Sequence, residues 1–155
     1  MLHDFGFWIV DVGLRDWKQR SFMVAIHGFW AVSIGQDMMD KADMIHRTKS
    51  LALRIVRLVA PLPRNRIGDV LGRQLLRSGT SVGANYREAT RASSKRHFIS
   101  YVEIAAREAD ETLYWLELLS ESGTVRPELL RDLMSECNEL TAILTTTGRT
   151  AKQRQ

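Results

Sequence analysis

Between Phe98 and Leu119 the sequence returns a core-type residue in steps of four, three, four, three, four and three. The residues are Phe98, Val102, Ala105, Ala109, Thr112, Leu116 and Leu119. A helix brings side chains at that spacing onto one face, and a seam of this heptad-like kind is covered by another helix. Leu113 and Trp115 widen the stripe. A helix over about 94–122 is therefore predicted, started by Ser93 or Ser94 and stopped by Gly123 in the usual C-terminal position. A chain built around this element is directed towards helix-on-helix packing.

The flanking sequence supplies the partners. A first helix is predicted over about 40–60, with Ile45, Leu51, Leu53, Ile55, Val56, Leu58 and Val59 on its apolar side. Pro61 and Pro63 end it, because proline lacks a donor and keeps its predecessor out of the helical region. A second helix, about 67–90, has Asn65 as its candidate cap. A fourth runs from Pro127 to about 147, with Leu129 or Leu130, Leu133, Cys137, Leu140 and Leu144 inward and Gly148 as its stop. No strand-like alternation of useful length occurs, and the connections are short. The predicted fold is all-α, an antiparallel up-down-up-down four-helix bundle.

The second helix is unusual. Gln74, Ser78, Ser81, Asn85 and Glu88 make a polar stripe at helical spacing, and Gly68, Gly72, Gly79 and Gly83 interrupt it with small residues. Each glycine costs about 1 kcal/mol against alanine in a helix interior. Close packing against another backbone would offset that cost, and a break at Gly79 is left open. The stripe has two readings. In one, Ser78, Ser81 and Asn85 bond to each other and to Arg77, Glu88 or Glu111, fixing helix register. In the other, stripe and arginines line a binding surface.

Charge is polarised along the 155 residues. Between Pro61 and Ser100 lie Arg64, Arg66, Arg73, Arg77, Arg87, Arg91, Lys95 and Arg96, opposed by Asp69 and Glu88 alone. From Tyr101 to Thr147 the balance is acidic. A basic region of this kind can attract phosphate backbones or pair with the acidic half of its own chain or a neighbour's. Arg87, Arg91, Lys95 and Arg96 cross the turn between the second and third helices and are the main candidate phosphate contacts, helped by Arg73 and Arg77 if exposed. Tyr86 and His97 are candidate base-stacking partners.

Residues 1–38 differ in character. They hold seven of the nine Trp and Phe residues, and their apolar run 22–34 is shorter than the roughly 20 residues of a membrane-spanning helix. No export-signal layout follows. The expected organisation is an appended segment 1–38, a bundle 39–148 and a basic flexible tail 149–155, with no membrane partner. The single cysteine, Cys137, excludes an internal disulfide framework and falls on an apolar stripe, so an inert core thiol in a cytoplasmic setting is expected.

Catalytic and metal motifs are missing from the sequence. His3, His27, His46 and His97 form no i, i+4 pair, and Glu108-x-x-Glu111 is not the Glu-x-x-His of a di-iron bundle. Neither a GxGxxG nor a phosphate-loop lysine motif occurs. No cofactor and no enzymatic activity are expected.

The segment QLLRSGTSVGANYREATRASSKRHFISYVEIAAREADETLYWLELL resembles the four-helix bundle proteins encoded by intervening sequences of bacterial 23S ribosomal RNA genes. The family pattern Q-L-x-R-S-x-x-S-x-x-x-N-x-x-E, followed by a basic Ser/Lys turn, falls on Gln74, Leu75, Arg77, Ser78, Ser81, Asn85, Glu88, Ser94 and Lys95. The lead-in Ala52–Pro63 is similar to the family's first helix, and the resemblance spans about 40–147. It implies a homo-oligomer, since relatives form pentameric rings. It also brings in the accessory variability protein of diversity-generating retroelements, a similar bundle that binds a reverse transcriptase and nucleic acid. RNA binding is what the family's genomic setting suggests.

Overall fold

The computed structural model describes residues 41–153, which form four helices and no strand. They are α1 (Lys41–Val59), α2 (Arg66–Ala89), α3 (Lys95–Glu121) and α4 (Pro127–Gln153). The readings made for 1–38 and for the chain's last two residues lie outside the described residues. No helix among the described residues is long and apolar enough to cross a membrane.

Local chemistry sets the ends. Asn65, in extended geometry at φ −136°, accepts a hydrogen bond from the Gly68 amide at 2.9 Å through its side-chain oxygen. Ser94 does the same for the His97 amide at 3.2 Å. Each satisfies one of the donors a helix start leaves open. Gly123, at φ 68°, turns the chain after α3 in the left-handed region glycine tolerates. Asn65→Ala is expected to cost about 1 kcal/mol, read as a lower midpoint in urea with unchanged slope.

α1 and α2 pack through glycine. A Cβ at Gly83 would lie 3.4 Å from the Thr48 carbonyl oxygen, and one at Gly72 would lie 3.1 Å from Val59 Cγ1. Between them, Gly79 leaves the space that the buried Ile55 side chain fills. These pairings run in opposite order along the two helices. α2 is unbroken at Gly79, because helical hydrogen bonding continues while the missing side chain gives room to Ile55.

The core is the predicted seam and its partners. Val102, Ala105, Ala109, Thr112, Leu116 and Leu119 are buried on α3, Leu75 and Val82 on α2, and Leu130, Leu133, Cys137, Leu140 and Leu144 on α4. On α1 the inward stripe is Met44, Thr48, Leu51 and Ile55, a four-three-four spacing. Leu53 and Val56 fall off that stripe and are each 45% exposed, a correction to the apolar side predicted for this helix. Thr48 lies inside because its hydroxyl donates to the Met44 carbonyl at 2.8 Å, which satisfies it without a partner from another helix.

α4 also differs from expectation. It runs past Gly148 to Gln153, where the sequence alone predicts a stop and a flexible tail. Gly148 is buried beside Val102 and the Glu103 stem on α3, so it serves as a packing residue. Lys152, one turn later, forms an ion pair with Glu103.

Candidate nucleic-acid interface

The α2–α3 connection places the predicted basic residues at one end of the helical pair. Arg87 lies in the last turn of α2, Arg91 follows it, and Lys95 and Arg96 open α3. All four are exposed. The guanidinium groups of Arg87, Arg91 and Arg96 have no ion pair among the described residues. Such cations remain hydrated and available to an anion.

Three further cations join this end. Lys41, at the start of α1, donates through Nζ to the Thr90 carbonyl at 3.2 Å, which ties it to the connection. Arg149 and Lys152 arrive on the continued α4, Lys152 through Glu103. The sequence places Arg149 and Lys152 in a basic flexible tail and does not single out Lys41. For Arg149 and Lys152 the available signal was their i, i+3 spacing, in phase with a helix continuing through Gly148. The opposing acids at this end are Asp43, Glu88 and Glu103.

Arg73 and Arg77 do not join the cluster. Arg73 stands 14 residues before Arg87 on α2, roughly 20 Å along the axis. Arg77 is committed to α3: its guanidinium bonds to Glu111 Oε1 and approaches Glu108 Oε1 at 3.5 Å, and its Nε donates to Gln74 Oε1 at 3.3 Å. Trp115 Nε1 donates to the same Glu111 oxygen at 3.0 Å. Tyr86 is buried and offers no face to a base, whereas His97 is exposed, with Nδ1 3.4 Å from Ser93 Oγ.

The polar stripe is bonded mainly within its own helix. Ser78 Oγ donates to the Gln74 carbonyl at 3.1 Å, and Asn85 Nδ2 to the Ser81 carbonyl at 2.9 Å. Glu88 is exposed and takes no part in the bonds around Glu111. The α2–α3 link is thus Gln74–Arg77–Glu111–Trp115, with Glu108 alongside. A small hydroxyl buried at a helix contact finds its acceptor one turn back; the long guanidinium can reach across.

The Arg77 hydrogen bond, followed by that of Trp115, holds the Glu111 carboxyl below the usual carboxylate range. A depressed folded value makes its stabilisation complete above the unfolded value, about 4.3, and lost as pH falls through the folded one. Unfolding in urea at pH 7 and pH 3 should therefore show a smaller acid loss for Glu111→Gln than for the parent chain. An equal loss in both would exclude Glu111 as a contributor.

A second cross-helix clamp joins α1 to α4. Arg47 bonds to Glu136 Oε1 and Glu139 Oε2, both at 3.0 Å. Burial disfavours the Arg47 charge, but hydrogen bonding and attraction from the two carboxylates together hold its pKa above the ordinary value. Cys137 is fully buried, and desolvation pushes its thiol up to about 12, which removes the nucleophilic thiolate at neutral pH. Among the described residues no group of three His, Cys, Asp or Glu could hold a metal ion.

A sequence profile of the 23S rRNA-intervening sequence protein family matches residues 40–146. Among solved structures, a protein of unknown function from the S23 ribosomal protein family of Bacteroides thetaiotaomicron superposes with a TM-score of 0.67 at 36% identity. The match covers 72% of this chain and 99% of that one. No curated protein matches significantly. With the profile spanning most of the helical region and a related structure sharing over a third of its residues, the chain belongs to the 23S rRNA-intervening sequence protein family.

Proposed function

We propose that the chain is a non-enzymatic RNA-binding protein, an up-down-up-down four-helix bundle that grips phosphates with its basic end. The observation that carries this reading is the clustering of the exposed Arg87, Arg91, Lys95 and Arg96 around the α2–α3 connection. Phosphate contacts of this kind supply affinity without reading sequence. The family's ribosomal-RNA setting supports RNA over other polyanions. The test replaces Arg87, Arg91, Lys95 and Arg96 together by alanine and follows binding of structured RNA against salt. Loss of affinity with a shallower salt dependence supports the reading; unchanged affinity and slope overturn it.

Homo-oligomerisation, as a pentamer by resemblance, belongs to the same proposal. The exposed apolar residues Leu53 and Val56 on α1 and Ile67 and Val70 on α2 give a second copy something to cover. The basic α1–α2 and acidic α3–α4 helices supply complementary charge. Light scattering of the full chain at tens of micromolar should give several times the 17.7 kDa chain mass; a monomer would overturn this part.

The same apolar residues favour a second reading, a scaffold that holds a protein partner such as a reverse transcriptase. Stable recovery of such a partner, with no nucleic acid co-purifying, would support it over RNA binding.

A further inference from the structure

At the α1–α2 connection, away from the basic end, a cleft of about 200 Å³ opens between the end of α1 and the first turns of α2. Its apolar wall is Val59, Leu62 and Leu76, and its rim carries Arg64, Arg73 and Asp69. Glycine lets its walls approach α2 closely. A Cβ at Gly68 would strike the Pro63 carbonyl oxygen at 2.2 Å, and one at Gly72 would crowd Val59 and Leu62. The Pro63 carbonyl can therefore lie against α2 only because Gly68 lacks a side chain. Arg64 and Arg73 are exposed and have no ion pair among the described residues. The cleft is smaller than the roughly 300–1,000 Å³ of sites that enclose a whole ligand. It suits one flat ring, with the rest of the ligand outside.

We infer that this cleft takes a single nucleotide, its base against Val59, Leu62 and Leu76 and its phosphate on Arg64 and Arg73. A guanidinium suits both halves of that ligand: its plane stacks on a base and its fork binds phosphate oxygens in pairs. Asp69 adds an acceptor for a ribose hydroxyl or an exocyclic amine, and the rim retains a net positive charge. The nucleotide is free in solution or an unpaired residue of an RNA strand. In the second case the inference rests on the RNA-binding reading, and the basic end anchors the strand while the cleft selects an unstacked base.

Fluorescence anisotropy on the full chain separates the outcomes. The probes are a duplex RNA, an RNA of equal length with an unpaired loop, and AMP as competitor. The loop RNA should bind about tenfold tighter than the duplex, which is what burying about 50–60 Å² of apolar surface against the aliphatic wall contributes. Arg64→Ala with Arg73→Ala should remove that preference, and both positions are exposed, so the fold is not at stake. Arg64→Lys with Arg73→Lys should also weaken the preference while leaving the salt slope unchanged, which a purely electrostatic role would not produce.

If the alanine pair weakens duplex and loop RNA equally, the cleft assignment is overturned and RNA binding stands. AMP binding that the alanine pair abolishes, with no RNA bound at all, assigns the cleft to free nucleotides and overturns the RNA-binding reading. AMP displacing the loop preference supports the strand-borne nucleotide. No binding of AMP and no loop preference overturns the inference.

Discussion

Gly79→Val is expected to destabilise the protein by about 3 kcal/mol, near the top of the usual overpacking range, and to lower the melting temperature by roughly 10 °C or more. Even a Cβ at Gly79 would lie 2.1 Å from Ile55 Cδ1 and 3.3 Å from Ile55 Cγ1 and Cγ2. Ile55 is completely buried, so its side chain has to move within a filled core. Valine adds two methyl groups to that collision. The better helix propensity of valine returns only about half a kcal/mol. The mechanism is checked by pairing Gly79→Val with Ile55→Ala. Ile55→Ala alone leaves a cavity and should cost about 2–5 kcal/mol, but in the Gly79→Val chain it removes the clash. The two costs should therefore fall short of additivity by more than about 1 kcal/mol. Additivity within about 0.5 kcal/mol would mean that the two residues do not share the space.

Replacing Arg87, Arg91, Lys95 and Arg96 by alanine should have the largest effect on binding. If each residue neutralises one phosphate, the four together contribute a slope of about −3.6 in log affinity against log salt on a duplex, or about −2.8 on a single strand. Between 50 and 200 mM salt, that part of the affinity weakens roughly 50- to 150-fold. The parent chain should show at least this dependence, and the variant should lose it. Folding is not expected to suffer, since the four residues are exposed and the cap of α3 is Ser94. Arg77→Ala is the internal contrast. Its guanidinium is held by Glu111 and Glu108, so its removal should loosen the α2–α3 link more than it changes the salt slope.

Much of the fold was legible from periodicity and punctuation. The seam from Val102 to Leu119 is buried as spaced, and Asn65, Ser94, Pro127 and Gly123 mark helix ends by their own chemistry. The misreadings came where residue type and environment part company. Leu53 and Val56 are apolar by composition yet lie off the stripe set by Met44, Thr48, Leu51 and Ile55. Thr48 is polar yet inside, its hydroxyl satisfied one turn back. Gly148 looks like a stop, but α3 lies against it and the helix continues.

The candidate site was legible in part, for a related reason. Arg87, Arg91, Lys95 and Arg96 are close in sequence around one connection, so their convergence follows from local structure. Arg73 and Arg77 are equally basic in the sequence, and only packing separates them. Arg77 meets two carboxylates across the helix contact, and Arg73 borders the cleft beside the α1–α2 connection. Lys41, Arg149 and Lys152 reach the basic end from distant parts of the chain, through Thr90 and through Gly148 and Glu103.

By itself the sequence determined four helices, their approximate ends, the apolar seam and the family pattern, because spacing, caps and breakers act within a few residues of one another. Tertiary structure alone decided that the polar stripe bonds mainly to its own backbone, that Arg77 and Arg47 clamp helices together, and that α4 extends the basic end. Those outcomes depend on which side chains meet across a helix contact. RSGTSVGANYRE lies inside the span that matches the family, yet it is the packing of its glycines against α1 and of Arg77 against α3 that gives the stretch its physical role.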